Sequence, residues 1–369
     1  MQRYEQDPRI VMTLDAGGTN FVFSAVQSNR LLVGPFSLPA CGDDLERSLD
    51  NLIEGFRRVR AELPSPPVAI SFAFPAPADY ARGIVVSPGN LPAYRNVPLA
   101  AFLEDTFGLP TFINNDGDLF TLGEAIAGFL PYVNSLLERA GSPKRYRNLL
   151  GVTLGTGFGA GIVHEGRLFR GDNSAAGEIW LMRHKLQPQW NVEEGVSIRG
   201  VQRAYAQYTG IRPEEAPDPK VIFEIAEGRQ PGDQWAAREA FRLMGELAGD
   251  AIAHAVTLID GLVVIGGGLA GAYRYFLPAL VEEMNRSYVV PGRGTFRRLI
   301  PQVFNLEEPA ELEAFLQGQV GELVVPRTGR RVHYDALQRI GVGLSRLGTS
   351  EATSIGAYAY ALDQLDCRS

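Results

Sequence analysis

The chain has 369 residues, 45% of them hydrophobic and 21% charged, with a net charge of -7. That length can bury large cores and points to two domains, while the acidic balance argues against a dedicated nucleic-acid binder. Two cysteines, Cys41 and Cys367, are too few for a disulfide framework or a four-cysteine zinc site; they read as free thiols of a reducing compartment, with a pairing between them left open. No apolar run approaches the ~20 residues of a membrane span. The polar opening MQRYEQDPR is unlike a secretory signal, so a cytoplasmic protein is expected.

Three short strands are predicted first, over 10–14, 21–26 and 31–38. Leu45, Leu49, Leu52, Ile53, Phe56, Val59 and Leu63 then recur at spacings of three and four, the signature of an amphipathic helix. Asp43 or Asp44 is its candidate cap. A strand over 68–74 follows, then a loop with Pro75, Pro77, Pro88 and Pro92, a short helix after Pro98, and a strand over 111–113. A helix is expected over 118–129 and a polar, basic insert over 131–148.

The same grammar restarts at 149: a strand over 149–154, a glycine-rich turn over 155–161, and further strands near 162–163 and 167–169. A long helix covers 233–260, and a buried strand over 261–265 runs into Gly266-Gly267-Gly268. The stretch 287–300 is rich in Gly, Pro and Arg, and 320–346 reads as a hairpin or elaborated loop. Three strands followed by alternating helices and strands predict an α/β fold with mixed sheets flanked by helices, built as two similar halves.

Three glycine turns carry the chemistry. The first is Asp15-Ala16-Gly17-Gly18-Thr19-Asn20, between two strands. Glycine permits positive torsions and a close backbone approach, and exposed amides of such a turn can grip phosphate oxygens. Thr19 and Asn20 add neutral donors. Asp15 would repel a phosphate, so it is expected to face Mg2+ or its waters; the plainer reading is a tight hairpin. Gly155-Thr156-Gly157 in the second half is a candidate for the remaining phosphates, or an ordinary hairpin turn. The third, Gly266–Gly271, matches G-x-G-x-x-G, a dinucleotide fingerprint. It stands alone and late in the chain, so the match is discounted; three glycines where a strand meets a helix could equally pack against an adenosine.

Carboxylates complete the set. In Asn114-Asn115-Asp116-Gly117-Asp118 an acid at a strand end can take a proton from a substrate hydroxyl. A helix N-cap at Asp116 or Asp118 is the commoner role. Glu178, Glu193 and Glu194 are further acids that could hold sugar hydroxyls or lie on the surface. No histidine pair has zinc-ligand spacing, and His254, in an apolar helix, reads as a core histidine.

The motifs run in the order DAGGTN (15–20), PGN (88–90), NND (114–116), GEA (123–125), LGTGFGAG (154–161), AAGEI (175–179), EEGVS (193–197) and VIGGGLA (264–270). In this order, over nearly the whole chain, they resemble the ROK family of repressors, open reading frames and sugar kinases, within the actin/hexokinase/Hsp70-like ATPase superfamily. The resemblance implies two ribonuclease-H-like domains with ATP and sugar in a cleft between them. It places residues 1–117 with the terminal helix 349–369 in a smaller N-terminal domain, and 118–348 in a larger one. It implies that Asp15, Gly17, Gly18, Thr19, Asn20, Gly155, Thr156 and Gly157 serve the ATP phosphates and magnesium, with Gly267 and Gly268 at the adenosine. Asp116 becomes the general base for attack on the γ-phosphate. Asn90, Asn115, Asp116, Glu178 and Glu193 become the sugar contacts, Glu193 being preferred to Glu194 for its spacing to Ser197.

Two departures qualify this. Many members carry GEIGH, whose histidine contacts sugar and a structural zinc; here the text is GEIWLMRHK, with Leu181 at that position. The family's cysteine cluster is missing from RHKLQPQWNV (183–192), so no zinc site is expected, and His184 is a candidate substitute for the missing histidine. Glucose specificity is thereby in doubt, and an N-acetylated hexose is open. Nine residues before the first strand are too few for a helix-turn-helix, which favours the kinase branch. An ATP-dependent sugar kinase is thus expected, with no nucleic-acid or membrane partner. Relatives of this kind are often dimers, so a homodimer is open. The alternatives are a sugar sensor without turnover and, on Gly266–Gly271 alone, a dinucleotide-dependent oxidoreductase.

Overall fold

The computed structural model describes residues 3–74, 78–86, 89 and 91–367. The chain forms two compact units: residues 1–131, 161–177 and 346–369, and residues 132–160 and 178–345.

The first unit opens with β1 (Val11–Ala16), β2 (Asn20–Gln27) and β3 (Arg30–Pro39), then α1 (Leu45–Glu62) and β4 (Ala69–Ala73). Asp44 caps α1, its Oδ1 accepting from the Arg47 amide at 3.2 Å. The two-residue strands β5 (Ala78–Asp79) and β6 (Ile84–Val85) pair with each other. Next come α2 (Leu99–Phe107), closed by left-handed Gly108, then β7 (Thr111–Asn114) and α3 (Asp116–Ile126). The helix expected over 118–129 thus begins and ends earlier. Asn115, not Asp116 or Asp118, is its cap, because Asn115 lies one residue upstream of the first helical residue. The supposed insert 131–148 begins within a helix, α4 (Phe129–Arg139). The loop prolines Pro75, Pro77 and Pro88 lie outside the described residues.

The chain continues through β8 (Leu149–Leu154), β9 (Phe158–His164), β10 (Arg167–Leu168), α5 (Ile198–Thr209), α6 (Pro219–Ala226), α7 (Gln234–Ile259) and β11 (Leu262–Gly266). The glycine turn is therefore only 155–157. Gly159 and Gly161 belong to a strand, where added Cβ atoms would stand 2.7 Å from Thr153 Oγ1 and 2.5 Å from the Gly117 carbonyl. After α8 (Tyr273–Met284), the stretch rich in Gly, Pro and Arg forms a hairpin, β12 (Ser287–Val290) and β13 (Gly294–Arg297). Then follow β14 (Gln302–Asn305), α9 (Pro309–Gln317), the hairpin β15 (Val320–Val324) and β16 (Arg331–Asp335), β17 (Arg339–Leu344) and α10 (Thr349–Asp366). The stretch 320–346 is thus a hairpin plus a buried sheet strand. His254, on α7, is exposed rather than in the core; the alanines around it face inward instead.

The two main sheets share one plan. Their strand orders are β3-β2-β1-β4-β7 and β10-β9-β8-β11-β17-β14. In the first, β1 is antiparallel to β2 and parallel to β4, which is parallel to β7. In the second, β11 is parallel to both β8 and β17, and β17 to β14. The halves legible in the sequence are thus a repeated sheet.

Aromatic packing holds the first core. Phe23, Phe56 and Phe72 are fully buried, with Phe56 meeting Phe23 edge-on at 5.3 Å. Each such side chain contributes roughly 1.5–3 kcal/mol on burial. Helices α1 and α10 pack on strands of this sheet. Helix α10 also lies against α3, and there glycine replaces side-chain packing. A Cβ on Gly123 would stand 1.9 Å from the Ala352 carbonyl oxygen, and one on Gly356 would stand 1.8 Å from that of Leu119. The buried Glu124 carboxylate secures the start of α10 by accepting the amides of Phe129 at 2.6 Å and of Arg346 and Leu347 at 3.2 Å.

Candidate active site

In the first unit the sheet register gathers the candidate residues. Asp15 is level with Ala73 on β4, and Ala73 with Asn114 on β7. All three strands run the same way, so Asp15 and Asn114 lie at the same edge on the two strands that flank β4, with backbones roughly 10 Å apart by strand spacing. The hairpin turn Gly17-Gly18-Thr19 and the start of α3 extend from that same edge.

The turn is tighter than its composition suggests. The Gly17 amide donates to the Asn20 carbonyl at 3.0 Å. Neither Gly17 nor Gly18 has a positive φ, so glycine is not needed there for left-handed torsions. At Gly17 it is needed for closeness, since a Cβ would stand 2.9 Å from the Asn20 oxygen. Gly18, Thr19 and Asn20 are exposed at the tip.

Asn115 resolves the competition between capping and catalysis. Its Oδ1 accepts the amides of Gly117 at 2.8 Å and Asp118 at 3.4 Å, which supplies α3 with its cap and leaves the amide nitrogen to point elsewhere. Asp116 is the first helical residue. Its Oδ1 accepts the Gly117 amide at 2.8 Å, and its side chain retains access to solvent. Dense protein around it pushes the carboxyl above the usual range, against the lowering effect of that amide. Asp15 is raised as well, first by burial and then by the negative charge of Asp116, and is lowered by a hydrogen bond from the Ser350 side chain. Two acids that repel across an open edge form a site for a cation or a proton. Asp15 fits magnesium by its hard oxygen donors. Among the described residues no three His, Cys, Asp or Glu side chains cluster as a metal cage, but Mg2+ commonly takes one or two carboxylates and completes its shell with phosphates and water. Ser350 was not anticipated; its signal was a serine in the first turn of the terminal helix.

In the second unit, Gly266 is level with Thr153, so the turn 155–157 and the glycines after β11 leave one sheet edge together. The Gly155 amide donates to the Gly157 carbonyl at 3.0 Å, and the Ile198 amide to the Gly155 carbonyl at 2.9 Å. Thr156 is the exposed tip. Glu193 braces this turn: Oε2 accepts the Phe158 amide at 3.0 Å, and Oε1 pairs with Arg199 at 3.0 Å. Glu194 is turned to Arg199 and Arg203, at 3.0 and 2.8 Å. Glu178 is exposed and accepts a hydrogen bond from the Trp180 indole. Asn90 lies outside the described residues.

Two glycines after β11 separate by cause. Gly267 has φ +90°, and a Cβ there would stand 2.3 Å from the Leu154 carbonyl, so the fold itself requires glycine. Gly268 and Gly155 have nothing within 4 Å of an added Cβ; their bareness leaves room for a molecule at the backbone. Gly268→Ala is therefore expected to keep the wild-type melting temperature and weaken nucleotide binding by about tenfold, the cost of one ~1.4 kcal/mol contact. Calorimetric titration with a non-hydrolysable ATP analogue measures it. Gly268–Ala272 is a 3-10 turn before α8, so β11 does not pass straight into a helix as a dinucleotide fingerprint requires.

The segment 183–192 is organised around His184. The buried His184 accepts the amides of Leu186 at 3.2 Å and Gln187 at 3.1 Å on Nδ1, and its ring meets Trp190 edge-on at 5.9 Å. Burial, then the charge of Arg203, lowers its pKa. Nδ1 must be unprotonated to accept, so this loop's stability is present above the unfolded histidine value and is lost as pH falls through the depressed folded one. His184→Ala is expected to lower the melting temperature and to flatten its decline below about pH 6.5, read by thermal melts across pH. His184 thus serves the loop's own backbone. Leu181 is exposed.

The comparisons with known proteins agree. The sequence profile of the ROK family matches residues 11–305. A curated relative, N-acetyl-D-glucosamine kinase of Vibrio parahaemolyticus, is 28% identical over 274 residues, covering 69% of this chain and 83% of that protein. The crystal structure of a glucokinase from Parabacteroides distasonis is 54% identical, covers 98% of this chain and 99% of that one, and superposes with a TM-score of 0.87. A ROK family glucokinase from Streptomyces griseus, solved with glucose and AMPPNP, shares the fold at 20% identity, with coverage of 95% and 98% and a TM-score of 0.63. The two repeated sheets are those of the actin-like fold of ROK sugar kinases. With the family's profile matched over most of its length, this chain belongs to the ROK family.

Proposed function

We propose that this protein is an ATP-dependent kinase of a hexose or hexose derivative, with Asp116 as general base. The observation that carries the reading is the division of labour at the start of α3. Asn115 takes the capping role, so Asp116 is left as a solvent-accessible carboxylate of raised proton affinity at the end of a parallel strand. On this reading Asp116 takes the proton of a sugar hydroxyl as that oxygen bonds to the γ-phosphorus of ATP; the bond to the β-phosphate oxygen breaks and ADP leaves.

Asn90, Asn115, Glu178 and Glu193 hold the sugar, Asn115 through its amide nitrogen. The tips Gly18, Thr19 and Thr156, with Gly17, Asn20, Gly155 and Gly157, hold the phosphates, and Gly267 and Gly268 flank the adenosine. Magnesium, held through Asp15, would screen the phosphate charge when bound. The names of the relatives point to the D-gluco series, with or without a 2-acetamido group. A homodimer and a cytoplasmic location belong to the same reading and rest on the family's habits.

A coupled ADP-release assay with Mg-ATP over glucose, mannose, N-acetylglucosamine and N-acetylmannosamine tests it. Turnover is expected on glucose or N-acetylglucosamine. Sugar binding without ADP formation on any of them overturns the kinase reading in favour of a sensor.

A further inference from the structure

The first unit holds a polar cavity of about 300 Å3, lined in part by Arg82, Glu104, Thr111, Arg170, Tyr360 and Gln364. Arg170 carries the interest. The partly buried Arg9, Arg203, Arg298 and Arg339 each face a carboxylate. The Arg170 guanidinium instead lies over the Tyr360 ring at 5.2 Å, and its buried Nη1 has no hydrogen-bond partner among the described residues. Tyr360 is itself set by the edge of Phe112 at 6.2 Å. The acid in the wall is committed elsewhere, Glu104 accepting the Thr111 amide at 3.1 Å. A partly buried guanidinium with an unbonded nitrogen is costly unless an anion joins it. Arg82, the second guanidinium of the wall, is held to Asp79 by an exposed pair at 2.8 Å, and such pairs are weak enough to re-form around a ligand.

We propose that this cavity is a regulatory site for a small phosphate-bearing molecule. The guanidinium fork of Arg170 suits a phosphate oxyanion, and Arg82 can supply the second positive charge of a dianion. Gln364 offers a partner for the hydroxyls of a sugar phosphate. The site lies away from Asp15 but shares a helix with it. Tyr360 and Gln364 sit on α10, whose first turn carries the Ser350 that bonds Asp15; at ~1.5 Å per residue the two ends are about 15 Å apart along one buried helix. Arg170 also begins a closed loop, the Ala176 amide donating to its carbonyl at 3.0 Å. The binding stands independently; an effect on turnover rests on the kinase reading above.

The test is calorimetric titration of the full chain with inorganic phosphate and with glucose 6-phosphate, in the presence of a saturating non-hydrolysable ATP analogue that fills the catalytic phosphate positions. Saturable binding is expected. Arg170→Gln is expected to weaken it at least tenfold, and so is Gln364→Glu, which adds a negative charge at a half-exposed helix position and leaves the cation in place. Tighter binding of the ester names a sugar phosphate as ligand, and equal binding names free phosphate. No saturable binding, or unchanged affinity in Gln364→Glu and in folded Arg170→Gln, overturns the site. ADP release from Mg-ATP, measured on the same protein preparations without the analogue, reports separately on the kinase reading.

Discussion

Asp116→Asn is expected to lower kcat by roughly 10²–10⁴-fold, the range for loss of a general base, while sugar affinity stays within a few-fold. Asparagine keeps the size and the hydrogen bond from the Gly117 amide, so the loss falls on proton transfer and not on shape. The pH profile carries a second sign. The base works only when ionised, and its pKa is raised, so wild-type kcat falls as pH drops through that raised value. In the variant that acid limb disappears from the residual rate.

Stability should move the other way. A folded-state carboxyl with a raised pKa binds its proton more tightly than the unfolded chain does, so stability is lost as pH rises through that value. At neutral pH the charged Asp116 therefore works against the fold, and against Asp15, which it pushes up as well. Asp116→Asn is expected to melt at or above the wild-type temperature at pH 7, as happens where a site is held for function at the expense of stability. Thermal melts at pH 7 and stopped-assay kinetics between pH 5 and 8 measure both. A variant that keeps its turnover removes Asp116 from the mechanism. One that melts far below wild type assigns Asp116 to the fold.

This pairing also shows what the sequence carries and what it hides. Strand ends were readable because the apolar runs stop at small or acidic residues, as at Leu14-Asp15 and Leu154-Gly155. The cap at Asn115 was not readable, because Asn115, Asp116 and Asp118 are all good caps and only the backbone decides which one precedes the first helical turn. The turn at 155 was overestimated for a related reason. Gly159 and Gly161 look like loop residues, yet they are strand residues whose missing Cβ atoms admit Thr153 and α3. Glycine reports closeness as often as it reports a turn, and the identity of the neighbour lies far away in sequence. His254 was misplaced because its immediate neighbours Ala253 and Ala255 are apolar, although it continues the polar stripe of Glu239, Arg242, Glu246 and Asp250 at helical spacing. Ser350 and Arg170 depend on contacts made across more than a hundred residues, which no spacing rule reaches.

Gly356→Ala is expected to destabilise the protein by about 3 kcal/mol, the upper part of the usual range for overpacking a close contact. The direction opposes local propensity. In an unencumbered helix interior, alanine in place of glycine stabilises by roughly 1 kcal/mol, and Gly356 lies in the middle of α10. Here the added methyl would stand 1.8 Å from the Leu119 carbonyl oxygen. That oxygen belongs to the backbone of α3, so it cannot swing aside as a flexible side chain would. The clash can be relieved only by parting α10 from α3, and the reciprocal glycine, Gly123 against Ala352, resists the same movement. Parting the helices would also draw Ser350 from Asp15 and disturb the turn pinned by Glu124. Turnover should therefore fall together with stability, and by more than the unfolded fraction explains. Chemical denaturation gives the stability change, and kcat measured well below the melting temperature gives the rest. Gly268→Ala, with open space around its added methyl, is the matched control. If Gly356→Ala proves as stable as that control, backbone contact between α3 and α10 does not set the position of Asp15 and Asp116.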